Sequence, residues 1–130
     1  MKILLDTHTI LWFVEDVGRM SEAVKVMIEN EENEKFVSLA SAWEIAIKVG
    51  LGKLSLNTSI EVFFADLLRR NGFSLLPISL PHALSVRSLP LHHRDPFDRL
   101  LIAQSLMEGM PIVSADLALD AYGVSRLWQS

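Results

Sequence analysis

Lys2-Ile3-Leu4-Leu5-Asp6-Thr7-His8-Thr9-Ile10-Leu11-Trp12-Phe13-Val14 opens the chain with a short apolar run, an acid and then a second apolar segment at helical spacing. Lys2–Leu5 reads as a brief buried strand, cut off by Asp6, with Leu11, Trp12 and Val14 in a helix directly after it. The same order recurs downstream. Phe36–Leu39 reads as a second strand, and Ser41 to Val49 as a helix closed by Gly50 and Gly52. Phe73–Pro77 is a third strand, Ile112–Val113 a fourth and Ser125–Trp128 a last one. Between them lie helical stripes: Ala23, Val24, Met27 and Ile28 behind Ser21; Ile60, Phe63, Phe64, Leu67 and Leu68 up to Gly72; and Leu80–Leu89. Asp95 opens a further helix through Leu100, Leu101 and Ala103 to Gly109, and a short helical stretch spans Leu117–Tyr122. Short strands alternating with longer helices predict a single α/β domain over 1–130, built on a mainly parallel sheet of four to five strands.

The bulk numbers agree with one packed domain. Half of the 130 residues are apolar and the mean hydropathy is +0.30, which excludes a disordered chain. There is no cysteine, so thiolate metal sites and disulfides are excluded and a reducing compartment is favoured. No apolar run reaches the roughly 18 residues of a membrane span, and the opening run is too short for a signal peptide. A cytoplasmic protein is the expectation. The net charge of −4, from 12 basic and 16 acidic side chains, counts against a general nucleic-acid binder and suits divalent cations or a basic protein partner.

Four acids share one structural situation. Asp6 follows the first strand, Glu44 lies in the first turn of the helix after the second, Asp98 in the first turn of the helix opened by Asp95, and Asp116 after the fourth strand. In a parallel α/β sheet, strand C-termini and the helix N-termini behind them face one edge, so these four should gather there. Each also has a plain structural explanation. Ser41-Ala42-Trp43-Glu44 fits a capping box; Asp95-Pro96-Phe97-Asp98 fits a cap, a proline at the first helical position and an acid at the positive helix end; Asp6 and Asp116 fit as simple caps. Capping, however, does not require four caps to face one cleft, where like carboxylates repel. A divalent cation offsets that repulsion. An all-oxygen donor set points to Mg²⁺, with Mn²⁺ as substitute, rather than to zinc. Such an ion can activate water and neutralise charge on a scissile phosphate.

Other residues read more quietly. The three Trp fall on apolar stripes and read as core. His92 and His93, adjacent in a Pro- and Arg-rich loop, should point apart and read as exposed, with metal binding a minor option. Glu29–Glu34 reads as a solvated helix end. No His stands among the four acids to serve as general base or acid, so a metal-activated water is the expected nucleophile.

Ile3-Leu4-Leu5-Asp6-Thr7-His8, Ser41-Ala42-Trp43-Glu44-Ile45-Ala46-Ile47-Lys48, Gly52-Lys53-Leu54, His93-Arg94-Asp95-Pro96-Phe97-Asp98-Arg99-Leu100-Leu101-Ile102-Ala103-Gln104 and Ser114-Ala115-Asp116 together resemble PIN-domain proteins of the VapC toxin type. The likeness runs from Met1 to about Trp128. It implies a three-layer α/β/α sandwich and divalent-metal-dependent cleavage of RNA. It also implies a homodimer and silencing by a cognate antitoxin protein. Asp6, Glu44, Asp98 and Asp116 match the family's acidic site, as catalytic residues and metal ligands. Asp95 reads as a helix cap with a supporting role, and Thr7 and Ser114 as hydroxyls near the site. Lys48, Arg94 and Arg99 would form a local basic rim for RNA, although Lys48 equally suits a surface pair with Glu44 and Arg99 a bond to a neighbouring acid. The Phe63/Phe64 helix is a candidate dimer surface.

Rival readings fit less well. A phosphatase using Asp6 as nucleophile wants a second Asp two residues on, where His8 stands. A phosphoacceptor signalling module wants an Asp ending the third strand and a late Lys, and no Lys follows Lys53. A metal-binding module without nuclease activity is the remaining alternative.

Overall fold

In the computed structural model, which describes residues 1–129, five strands form one all-parallel sheet in the order β3-β2-β1-β4-β5. The strands are β1 (Lys2–Leu5), β2 (Glu34–Ser38), β3 (Ser74–Leu76), β4 (Ile112–Val113) and β5 (Arg126–Leu127). The principal helices are α1 (Thr7–Glu15), α2 (Glu22–Glu29), α3 (Leu39–Gly50), α4 (Ile60–Ala65), α5 (Leu80–Ser85) and α6 (Pro96–Glu108). A π-type turn, Asp66–Arg70, prolongs α4, and Leu117–Tyr122 is 3₁₀-helical. Among the described residues, no helix is long and apolar enough to cross a membrane.

The central strand shows why the domain has three layers. Side chains alternate across a strand, and β1 carries apolar residues on both faces. Ile3 and Leu5 pack with Ile10 of α1, Val24 and Ile28 of α2 and Phe63 of α4, whereas Leu4 packs with Leu101 and Ile102 of α6. The same split divides Val113 from Ile112 on β4. A parallel sheet covered by helices on both faces needs this continuous apolar run.

Phe63 is buried on the first face, with Phe64 packed edge-on against it. Phe63 therefore belongs to the core and Phe64 is only half-buried against it, so α4 presents less free aromatic area than its sequence suggests. Trp12 and Trp128 pack on that core, their rings 5.8 Å apart, but Trp43 is 54 % exposed and the core assignment fails there. On the second face a buried polar junction ties the layers together. Ser38 Oγ donates to Gln104 Oε1 at 2.6 Å, and Gln104 Nε2 donates to the Pro77 carbonyl at 3.2 Å.

β1 is the middle strand, and the chain leaves it in both directions: β2 lies on one side and β4 on the other. Such a switch in strand order opens a crevice beyond the strand C-termini, where α/β proteins place their ligands. Asp6 and Asp116 stand on its two sides, and Asp6 N–H donates to the Val113 carbonyl at 3.1 Å.

Candidate metal centre

Asp6 ends β1 and caps α1. Its Oδ1 accepts from Thr9 N at 2.8 Å, and the Ser114 hydroxyl also donates to it. The carboxyl is buried, and loss of hydration raises its pKa in spite of those donors, because burial disfavours the charged form. Asp116 caps the 3₁₀ segment through Ala118 N at 3.0 Å, and its own N–H donates to Ser114 Oγ at 3.0 Å. Ser114 thus stands between two of the acids, as the hydroxyl reading expects. Thr7 instead donates to Ser41 Oγ at 3.0 Å.

Asp95 caps α6, its Oδ1 accepting from Phe97 N at 2.9 Å. Asp98, one turn inside, is spared that task. Its pKa is pushed up to about 6, first by desolvation and then by the negative charges of Asp95, Glu44 and Asp6, with His93 opposing. The charges of Glu44 and Asp6 act on Asp98 because the fold has carried three remote segments to one place.

Glu44 departs from the capping box. α3 starts at Leu39, capped by Ser38, whose Oγ accepts from Ala40 N at 3.0 Å. Ser41 is therefore inside the helix and Glu44 is beyond the first turn, with no free amide to return to. Its side chain is 4 % exposed; Oε2 accepts from Lys48 Nζ at 2.8 Å, while Oε1 is buried with no hydrogen-bond partner. A buried carboxylate oxygen left unpaired costs on the order of 1–3 kcal/mol or more. That cost is removed if the oxygen faces a cation.

His93 overturns the exposed-loop reading. Its Nε2 lies 3.2 Å from Asp98 Oδ2 and 3.2 Å from Asp116 Oδ2. His92 does point away, its ring edge-on to Tyr122 at 5.2 Å; the adjacent pair splits, and one member lands among the acids. His93, Asp98 and Asp116 place three potential ligand atoms within 4.8 Å of one another. Asp6 and Asp116 share a cleft of about 290 Å³ with His8 and Trp12, and beside it a groove of about 350 Å³ carries Lys48 and Lys53. Arg94 is exposed, whereas Arg99 bonds no neighbouring acid: its guanidinium is taken up by backbone carbonyls.

The donor set fits a hard divalent cation. Asp98 and Asp116 would hold it, with Asp6 beside Asp116 in the cleft and the charge of Glu44 close enough to act on Asp98. The raised Asp98 pKa has a measurable consequence in metal-free protein. A carboxyl whose folded pKa exceeds its unfolded value of 3.8 holds its proton more tightly when folded, so stability declines as pH rises from about 4 to about 6. Asp6 contributes in the same direction, and Asp120, whose pKa is lowered by Arg126, acts only below that window. We expect the melting temperature in EDTA to be higher at pH 5 than at pH 7, and Asp98→Asn to flatten the difference. Parallel profiles for the two proteins would contradict the crowding of Asp98.

Comparison with known proteins follows the geometry. The chain resembles a chain of VapBC2 from Rickettsia felis bound to a DNA fragment from their promoter, with a TM-score of 0.75 and 13% identity over 99% of this chain and 100% of that one. It resembles FitAcB from Neisseria gonorrhoeae with a TM-score of 0.61 and 18% identity over 96% of each chain. FitAB bound to an IR36 DNA fragment gives a TM-score of 0.57 and 17% identity over 96% of this chain and 93% of that one. At these identities the likeness is one of fold. No curated protein sequence matches. The sequence profile of the PIN domain matches residues 3–124, nearly the whole described chain, and the protein therefore belongs to the PIN-domain family.

Proposed function

We propose that this chain is a divalent-metal-dependent endoribonuclease and the toxin of a toxin–antitoxin pair. The observation that carries the proposal is Glu44: a buried carboxylate with one oxygen unpartnered, whose charge acts on Asp98 together with that of Asp6. Membership of a family whose members are generally nucleases supports the reaction class, and the fold shared with VapBC2 and FitAB chains supports the toxin role.

Mg²⁺ or Mn²⁺, when bound, would lower the pKa of a water molecule and offset negative charge on the scissile phosphate. Asp98 and Asp116 would hold the cation. Asp6, fixed by Thr9 N and Ser114, presents a rigid carboxylate beside them. Lys48 secures one oxygen of Glu44 and leaves the other without a partner. Lys48 and Lys53 line the adjoining groove, where they can meet phosphates despite the negative net charge. His93 holds no lone pair ready for a 2′-hydroxyl proton, because Nδ1 faces the Asp95 N–H at 3.4 Å and Nε2 faces two carboxylates. Water therefore remains the nucleophile, in-line with the leaving 3′-oxygen.

A homodimer is part of the proposal, through a different surface from α4. Leu39, Trp43, Ile47 and Leu51 are 42, 54, 39 and 63 % exposed. They recur every fourth residue along α3 and its end, so they share one face. Phe97 extends it, its ring 5.2 Å from that of Trp43. An apolar stripe without interruption by charge suits a second copy of itself. Trp43→Arg should convert a micromolar dimer to monomer in sedimentation; a wild-type monomer, or a dimer indifferent to this change, refutes the surface.

For the chemistry, cleavage of a structured RNA should stop in EDTA and return with Mn²⁺ or Mg²⁺ but not with Ca²⁺, which prefers looser geometry. Asp6→Asn, Glu44→Gln, Asp98→Asn and Asp116→Asn should each lose activity by about 100-fold or more, the scale of one transition-state charge contact. The fragments should carry 5′-phosphates. A 2′,3′-cyclic phosphate end, or full activity in EDTA, overturns the proposal.

A further inference from the structure

The loop before α6 is held by a dense set of bonds that the nuclease reading does not use. Arg99 Nη1 donates to the carbonyls of Pro90 and His93 at 3.0 and 3.3 Å, and Nη2 to those of Val86 and Leu89 at 3.1 and 3.3 Å. From the other side, Tyr122 Oη accepts from His92 N at 3.0 Å and from His93 N at 2.7 Å. Arg99 Nη1 also reaches Tyr122 Oη at 3.5 Å, closing the ring of contacts. The residue caught between the two side chains is His93: its N–H is held by Tyr122 and its carbonyl by Arg99.

The imidazole is oriented as firmly as its backbone. Asp95 N–H points at Nδ1 at 3.4 Å, which leaves the ring proton on Nε2. Nε2 lies 3.2 Å from one oxygen of Asp98 and 3.2 Å from one of Asp116. Ligation through Nε2 would move the proton to Nδ1, against the Asp95 N–H. Arg99 and Tyr122 hold the backbone on both sides of His93 and so fix the point from which its ring reaches the two acids. The arrangement does not suit a ligand. It suits a donor that fixes two carboxylates so that their remaining lone pairs meet the cation, and partners of this kind commonly set metal affinity.

We infer that His93, clamped by Arg99 and Tyr122, is a positioning residue that orients Asp98 and Asp116 for the cation without touching it. The inference rests on the metal-site reading above. Its function is to hold the two acids, delivered by α6 and by the end of β4, at one separation. Arg99 is thereby assigned to the support of His93 and not to phosphate.

The test uses Mn²⁺ alone, with no RNA. Calorimetry should show about tenfold weaker Mn²⁺ binding in His93→Ala, within the range lost when such orienting partners are removed. His93→Gln, whose amide can still donate to both carboxylates, should recover most of that loss. Tyr122→Phe, which touches neither acid, should weaken binding in the same direction. Pulsed EPR of the Mn²⁺ complex should show no directly bound ¹⁴N. Equal or tighter Mn²⁺ binding in His93→Ala overturns the inference, as does a nitrogen coupling that disappears in that variant; both leave the metal nuclease standing. Failure of the wild-type chain to bind Mn²⁺ overturns the metal centre itself, and the positioning role with it.

Discussion

Repulsion between carboxylates gathered at one sheet edge is the constraint on which the rest of the arrangement turns. Strand order makes it unavoidable: β1 and β4 are neighbours, and each ends in an acid that a helical segment then needs as its cap. Desolvation makes it worse, because Asp6 and Glu44 are buried and a charge in low dielectric is costly unless paired. The fold answers with fixed hydrogen-bond donors around the cluster. Thr9 N and Ser114 attend Asp6, Ala118 N and His93 attend Asp116, and Lys48 attends one side of Glu44. Two features escape this compensation, namely the unpartnered Glu44 oxygen and the raised pKa of Asp98. Both are strains that the proposed cation would relieve.

Capping and metal binding are not competing explanations here. Asp6 and Asp116 satisfy helix N-termini with one oxygen and retain further lone pairs toward the cleft, since each carboxylate oxygen can accept more than one bond. The cap also immobilises the carboxylate, which a preorganised site requires. At the start of α6 the two tasks are divided between neighbours: Asp95 caps, so Asp98 is free. Arg126 plays a comparable supporting part on the far side, bonding Asp120 at 2.8 Å and the Ser114 carbonyl at 3.0 Å. It thereby braces the segment that carries Asp116.

The parts of this molecule legible in the sequence are those governed by local pattern. β1 and β4 fall where the apolar runs place them, and Gly109, with φ of 63°, closes α6 as a left-handed terminus should. The convergence of Asp6, Asp98 and Asp116 follows from alternation of strand and helix alone. What escaped depends on contacts between remote segments. Ser41 matches a capping-box pattern, yet its hydroxyl is met by Thr7 from another helix, and Ser38 supplies the cap. The rule that adjacent side chains diverge holds for His92 and His93. It does not reveal that the acids awaiting His93 come from α6 and from beyond β4. The partners of Arg99 are backbone carbonyls, which leave no trace in residue identity. Phe63 and Phe64 look surplus until the two-sided core is counted, while Trp43 looks like core until α3 is seen to turn it outward.

The central claim is that remote acids meet at the sheet edge in order to hold a divalent ion. Crystals soaked in Mn²⁺ and measured at the manganese absorption edge test it most directly. The account predicts one dominant anomalous peak within about 2.0–2.3 Å of carboxylate oxygens from Asp98 and Asp116, the bond length of a small hard cation, facing Asp6 and Glu44. An occupied peak elsewhere on the chain, or none at this edge when Mn²⁺ saturates the protein in solution, would contradict it.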